Sequence, residues 1–291
     1  AVGLPAYNEE KNIASIIIKL KEITDTIIVC DDGSSDLTDK IASELGAITI
    51  RHTKNIGYGG AISSLFAKAL EMNVDGLVTI DADGQHKVED IKSVLEPILK
   101  NEADIVIGSR FMDDNNKIPK YRRFGIKAIT SISNSTMDLK LTDSQSGFRA
   151  YSKKAIQEII PSEYGMGVST EILIKADKKN LKIVEVPIKI LYEGDTSTYN
   201  PVGHGASVIL STMKFISIEH PLKFYGIPGI GFLTIGIFFI IWTLQIFSEV
   251  RQIITNIALV GVGATLIGTI MILTSIILFS LVSVVREHKG N

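Results

Sequence analysis

Val74-Asp-Gly-Leu-Val-Thr-Ile-Asp81-Ala-Asp83-Gly-Gln85 decides how the rest of this chain is read. Leu77 to Ile80 is short, apolar and rich in β-formers, bounded by Gly76 and by Asp-Ala-Asp-Gly, so it reads as a buried strand that stops at a polar turn. In an open α/β sheet, ligands bind outside the carboxyl ends of the strands, which puts Asp81 and Asp83 at the expected site. Only Ala82 separates them, and both can reach one ion. Hard oxygen donors with Gln85 nearby suit Mg2+ or Mn2+, ions that take one or two carboxylates and complete their shell with substrate phosphates. The implied ligand is a nucleoside diphosphate. Asp-Ala-Asp-Gly is equally a common polar turn, and this stretch alone leaves both readings open.

Toward the N-terminus, Val2 to Pro5 reads as a first short strand; no signal peptide is expected, and because the sequence opens without an initiator Met, residues of that strand are expected to precede it. Asn8 is placed to cap a helix over Glu9 to Ile23, whose Ile13, Ile16, Ile17 and Leu20 have helical spacing. A strand from Thr26 to Cys30 ends in Asp31-Asp32-Gly33-Ser34, so acids again stand at a strand's end. A helix from Leu37 to Leu45 and a strand from Ala47 to Arg51 follow. Gly57-x-Gly59-Gly60 then opens a helix reaching about Met72; its spacing fits no standard phosphate-binding fingerprint, and a tight strand-to-helix turn is the simpler reading. Beyond Gln85 come a helix over Val88 to Lys100 and a strand from Asp104 to Gly108, which puts Arg110 at the ligand edge. Strands and helices alternating about every 25 residues predict a mostly parallel sheet with helices on both faces.

Tyr121-Arg122-Arg123 opens a moderately amphipathic segment to Leu141, compatible with a membrane surface or with packing on its own domain. Asp143 to Tyr151 is polar, helices follow at Lys153 to Ile160 and Ser169 to Asn180, and Lys182 to Leu191 reads as a last strand. The Gly, Ser, Thr and Pro residues of Glu193 to Gly205 make a loop.

The 291 residues fall into two regimes, with nearly all charge before about residue 220 and almost none after it. A net charge of -2 gives no case for nucleic acid as a partner. The single cysteine, Cys30, lies in a strand and reads as a buried apolar residue, with no disulfide to form. Phe224 to Phe247 carries no charge and as a helix would run roughly 36 Å, enough for the ~30 Å hydrocarbon layer. Ile257 to Val285 is a second uncharged run. Lys223 precedes the first span, and Arg286, His288 and Lys289 follow the second, so the positive-inside tendency places both ends of the hairpin, and with them the catalytic domain, on the cytoplasmic face. Gly261, Ala264 and Gly268 suit close helix contact within the hairpin or between chains, the latter giving a homo-oligomer. The organisation expected is a catalytic domain over 1–205, an interfacial amphipathic helix over 206–221 and a transmembrane hairpin over 222–291.

Six motifs in order, Pro5-Ala-Tyr-Asn-Glu9, Asp31-Asp-Gly-Ser34, Asn55-x-Gly-x-Gly59, Asp81-Ala-Asp-Gly-Gln85, Gly108-Ser-Arg110 and Ser146-Gly-Phe-Arg149, resemble the inverting family 2 glycosyltransferases of the dolichyl-phosphate mannose synthase type. The two-span tail is similar to that of polyprenyl-phosphate glucosyltransferases. The resemblance implies an α/β GT-A fold that binds a nucleotide sugar, GDP- or UDP-hexose, and transfers its hexose with inversion to polyprenyl or dolichyl phosphate at a membrane. It implies that Pro5, Tyr7, Glu9 and Asp32 hold the base and ribose, and that Asp81, Asp83 and Gln85 hold Mg2+ or Mn2+ on the diphosphate. Arg110 and Arg123 would meet the lipid phosphate, as planar bidentate donors are suited to do; Arg149 would touch phosphate or brace the site. Asp143 would orient the acceptor or sugar, or cap the turn after it. His86 is a bystander or a group behind the metal ligands. Because the acceptor phosphate is already ionised, no strong general base is needed. The family's basic stretch after the last strand is absent from Gly194 to Gly205.

Two other functions compete. A processive polysaccharide synthase would need more spans and a Gln-x-x-Arg-Trp motif, whereas Arg149 stands four residues after Gln145 without a Trp. A catalytically inert membrane-tethered scaffold would have no use for acids and arginine at strand ends.

Overall fold

Seven short strands form: β1 (Val2–Ala6), β2 (Ile27–Asp31), β3 (Ile48–Arg51), β4 (Gly76–Thr79), β5 (Ile105–Ser109), β6 (Arg149–Ser152) and β7 (Ile183–Pro187), most of them apolar runs rich in Val and Ile. They make one sheet in the order β3-β2-β1-β4-β6-β5-β7. The structure, a computed structural model, describes residues 1–190 except 114, 115, 117, 136 and 138, and then 210, 213, 216–218, 220–252 and 254–289. The chain forms two units, Ala1–Thr212 and Met213–Asn291.

β1 pairs in parallel with β2 on one side and β4 on the other, so the strand order reverses at β1 and β4. Such a reversal opens a crevice at the carboxyl ends of those strands. β6 runs antiparallel between β4 and β5, with Arg149 opposite both Thr79 and Ile107. That strand is absent from the sequence expectation: four residues, Arg-Ala-Tyr-Ser, carry no readable period, and the arginine hides their burial. The helices are α1 (Ile13–Lys21), α2 (Thr38–Glu44), α3 (Tyr58–Glu71), α4 (Ile91–Leu99, after a 3-10 turn at Val88–Asp90), α5 (Lys120–Asn134), α6 (Lys153–Glu158) and α7 (Val168–Lys178).

α1 buries Ile13, Ile16, Ile17 and Leu20, the residues its spacing singles out. With Leu4, Val29, Ile80, Val94 and Phe148 they join one core cluster, where each large aliphatic side chain contributes about 1.5–3 kcal/mol. The helix begins later than expected, and Asn8 is not its cap. Asn8 sits in the left-handed region at φ 56°, and its Oδ1 accepts from the Ser35 amide at 2.9 Å, tying the loop after β1 to the loop after β2. Cys30 is fully buried in β2, and burial pushes its thiol up to about 12, with Asp32 adding to the effect.

The glycines that open α3 answer to a neighbouring backbone. The Gly59 amide donates to the Tyr164 carbonyl at 2.8 Å, and a Cβ at Gly59 would overlap the Glu163 carbonyl oxygen. Residues 163–165 therefore pack directly against the turn that leads from β3 into α3, a contact the sequence did not announce.

In the second unit a π-helical turn, Leu222–Gly226, leads into α8 (Ile227–Val250), and α9 spans Thr255–Lys289. Leu222–Val250 and Thr255–Val284 are long and apolar enough to cross a membrane. Ile230, Phe238, Leu244, Leu266, Ile270 and Ile277 are exposed on them, an arrangement stable only where the surroundings are apolar. Within the hairpin Gly268 meets Leu233 main chain, 2.5 Å from where a Cβ would stand. The Gly194 to Gly205 loop lies outside the described residues, as does most of the 206–221 segment.

Gly59→Ala should destabilise the protein by roughly 1–3 kcal/mol or more because main chain must move. Gly125→Ala, in α5 with nothing within 4 Å of the new Cβ, should instead stabilise by about 0.5–1 kcal/mol. Thermal unfolding of the full chain in detergent checks both signs.

Candidate active site

Asp81 and Asp83 follow β4 at the strand-order reversal. Both are half-buried. Asp81 Oδ1 accepts from the Tyr58 hydroxyl at 3.1 Å, and its Oδ2 lies 3.6 Å from His86 Nε2. Gly147 packs against this carboxylate so closely that a Cβ would stand 2.7 Å from Asp81 Oδ1 and 2.5 Å from the Tyr58 hydroxyl. That contact is why the 146–149 motif needs glycine. Asp83 Oδ1 accepts from the Gln85 amide at 2.9 Å.

Burial pushes the Asp81 carboxyl up, but His86, Tyr58 and the charge of Arg110 outweigh it and hold it below the usual range. Asp83 goes the other way, raised by burial and by the neighbouring Asp81 charge. Glu9, on the loop after β1, is pushed up to about 7 by burial, with Asp83, Asp36 and Asp81 adding repulsion against its bond from Asn12. Three acids thus share one rim.

The donor set fits a hard divalent cation. Two carboxylates one residue apart repel each other, and a cation relieves that repulsion. Among the described residues no group of three or more His, Cys, Asp and Glu gathers in ligating geometry.

Arg110, after β5, is locked to Asp143. Its Nε donates to Asp143 Oδ2 at 2.6 Å and its Nη2 to Oδ1 at 2.7 Å. Asp143 is fully buried, and despite burial the Arg110 guanidinium holds its carboxyl below the usual range. Asp143 therefore reaches the site only through Arg110, while also accepting from the Gln145 amide, the turn-capping contact expected of it, at 3.2 Å. Glu185 on β7 holds the same turn, accepting from the Thr142 and Asp143 amides at 2.7 and 2.8 Å.

Arg149 takes the bracing one of its two expected roles, and the ligand contact expected of Asp32 needs correction. Arg149 is 1% exposed; its guanidinium donates to the carbonyls of Ser146, Ser169 and Ser144 at 2.8–3.0 Å. It braces the loops and cannot reach a lipid phosphate from there. Asp32 is also buried. Its Oδ1 accepts from Ile56 N at 3.0 Å and lies 2.7 Å from His52 Nδ1. Its Oδ2 accepts from Gly57 N at 2.9 Å. It builds the glycine turn instead of facing a ribose. Pro5 is buried within β1, past the last residue paired with β4, whereas Tyr7 and Glu9 are half-buried at the rim.

Arg123 is exposed on α5. Its neighbour Arg122 is half-buried, and its positive charge opposes the upward shift of Asp83. Sequence reading passed over Arg122, Tyr58, Glu185 and Glu171. Tyr58, framed by Gly57 and Gly59, and Glu185, a lone acid in an apolar strand, each carried a signal. Glu171 is fully buried; its carboxylate receives the amides of Ser162 and Glu163 and lies 2.6 Å from Lys175 Nζ. It fixes the segment that rests on the glycine turn.

A mostly parallel sheet reversing at β1 and β4, with an acid pair at that point and an arginine at the next rim, defines a glycosyltransferase of the GT-A class. Residues 1–160 match the model for glycosyl transferase family 2, and the chain belongs to that family. The UDP-N-acetylglucosamine–dolichyl-phosphate N-acetylglucosaminyltransferase of Methanococcus voltae is 37% identical over 211 residues, 65% of this chain and 84% of that protein. The dolichyl-phosphate hexose transferase of Haloferax volcanii is 30% identical over 225 residues, 77% of this chain and 96% of that protein. In fold, the chain is similar to glucosyl-3-phosphoglycerate synthase from Mycobacterium tuberculosis, crystallised with Mn2+ and UDP-glucose. That match has a TM-score of 0.58 at 22% identity, over 74% of this chain and 77% of that one.

Removing the Arg149 guanidinium strands three buried carbonyls. Arg149→Met should therefore cost about 3–5 kcal/mol of stability by thermal unfolding. Asp143 and Glu171 are both held below their ordinary carboxylate range. Their stabilisation is present above the unfolded values, about 3.9 and 4.3, and is lost as pH falls through the lower folded values. The unfolding midpoint should drop below about pH 4, and less steeply in Glu171→Gln; identical acid limbs in the two proteins would contradict this.

Proposed function

We propose that this enzyme transfers a hexose or N-acetylhexosamine from a nucleoside diphosphate sugar to the phosphate of a polyprenyl or dolichyl lipid, with inversion and with a divalent cation. The observation that carries the reading is one sheet edge on which Asp81 and Asp83, following β4, share the carboxyl-end rim with Arg110, which follows β5 and is fixed in plane by Asp143. Acids to hold a cation and arginines to hold an oxyanion are what a reaction between two phosphate-bearing substrates requires.

Asp81, Asp83 and Gln85 would hold Mg2+ or Mn2+, which supplies charge stabilisation to the departing diphosphate. Tyr7 and Glu9 are placed to meet the nucleoside. Arg110, with its plane set by Asp143, receives the acceptor phosphate, and Arg123 or its half-buried neighbour Arg122 on α5 joins it. The acceptor oxygen is already anionic, so attack on the anomeric carbon needs no proton removed, and a single displacement inverts the configuration.

The named relatives favour a lipid phosphate acceptor, and UDP is the nucleotide in both the archaeal name and the neighbouring crystal structure. Two helices able to cross a membrane suit a substrate confined to one. The basic flanks Lys223, Arg286 and Lys289 favour a cytoplasmic catalytic domain.

Detergent-solubilised full-length protein should move radiolabel from one of UDP-N-acetylglucosamine, UDP-glucose or GDP-mannose into an organic-extractable polyprenyl product. Chelation should abolish transfer and Mg2+ or Mn2+ should restore it. Asp83→Ala should lower kcat by roughly 10²–10³-fold. Label that remains wholly water-soluble with every donor would reject the lipid acceptor.

A further inference from the structure

We propose that Glu185 is a positioning residue for acceptor recognition, setting the plane of Arg110 through the turn that carries Asp143; this rests on the acceptor reading above. Glu185 lies on β7, opposite Ile107 of β5. Its strand neighbours Val184 and Val186 pack against the hydrophobic core, so by strand alternation Glu185 faces the other layer. There each carboxylate oxygen takes one of two successive amides, Oε2 that of Thr142 and Oε1 that of Asp143. The turn is tied a second time to the β5 rim by Ser109 Oγ and Thr142 Oγ1, 2.6 Å apart.

The turn belongs to no strand or helix, so its amides must find partners elsewhere. Glu185 is only half-buried, and water could satisfy the same two amides at little cost to stability. Water could not hold the Asp143 backbone to one position. Asp143, doubly bonded to Arg110 and without solvent exposure, passes any shift of that turn directly to the guanidinium. Misplacing a binding group by 1 Å costs on the order of 10²-fold in rate. Loss of Glu185 should consequently appear in acceptor kinetics well before it appears in folding.

The test compares full-length wild type, Glu185→Gln and Glu185→Ala in detergent, with labelled nucleotide sugar and a polyprenyl phosphate. For the acceptor, kcat/KM should fall roughly 10- to 100-fold in Glu185→Ala and less in Glu185→Gln, which keeps one acceptor oxygen. The donor KM and the unfolding midpoint should stay near wild type. In an Asp143→Asn background, Glu185→Ala should cost far less than it does alone. The inference is overturned if acceptor kcat/KM is unchanged, if donor and acceptor constants fall together with the midpoint, or if the two substitutions act additively. Should wild type transfer no sugar to lipid, the acceptor reading fails. Amide exchange at Thr142 and Asp143 then still decides the contact: it should be slow in wild type and fast in Glu185→Ala, and fast exchange in both would overturn it.

Discussion

Crowding of negative charge on one edge of the sheet is the constraint around which this domain is built. Glu9, Asp81 and Asp83 come off β1 and β4 where those strands run side by side, and each raises the cost of ionising the others. Glu9 is driven up to about 7 and Asp83 upward, while Asp81 stays ionised because His86, Tyr58 and Arg110 surround it. Such a rim is fully anionic only beside positive charge. Two arginines lie within electrostatic reach of it, and the acid pair itself has the composition of a cation site.

Holding those loops in place falls to charged side chains that never face a ligand. Asp32 takes the amides of residues 56 and 57, Glu171 those of 162 and 163, and Glu185 those of 142 and 143, while Arg149 fills three carbonyls. The loops at the sheet rim have no ladder or helix to satisfy their backbone, and an ionised side chain makes a stronger bond to a peptide group than a neutral one does. Each brace roots a functional loop in a strand or helix.

The parallel strands and the helices between them could be read from hydrophobic period and turn residues, because burial on both faces leaves an unbroken apolar run. β6 could not, since its four residues include a buried arginine and its partners lie far away in sequence. The strand-end rule located Asp81, Asp83 and Arg110. It says nothing of Arg122 and Arg123, which stand on a helix whose facing depends on tertiary packing. Nor could a motif say whether a required residue is required by a ligand or by the backbone, which is how Asp32 came to be read as a ligand contact and Arg149 was left between a phosphate and a brace.

Asp31-Asp32-Gly33 and Asp81-Ala82-Asp83-Gly84 look like the same device: paired acids at a strand's end, then a glycine at φ 75°. Only the second is open, and sheet position explains why. β2 lies one strand outward, and the chain leaving β3 folds back over its rim: a Cβ on Gly33 would stand 2.6 Å from the Lys54 main chain, and Asp32 is spent on the amides just beyond. β4 sits at the reversal, where the crossovers from β1 and β4 leave toward opposite sides and β6 runs the other way. Among the described residues the nearest atom to a Cβ on Gly84 is Asn12 Oδ1, at 3.8 Å. Similar local chemistry makes a brace where main chain crowds the turn, and among the described residues leaves the other turn with room beside its glycine and its acids half-buried.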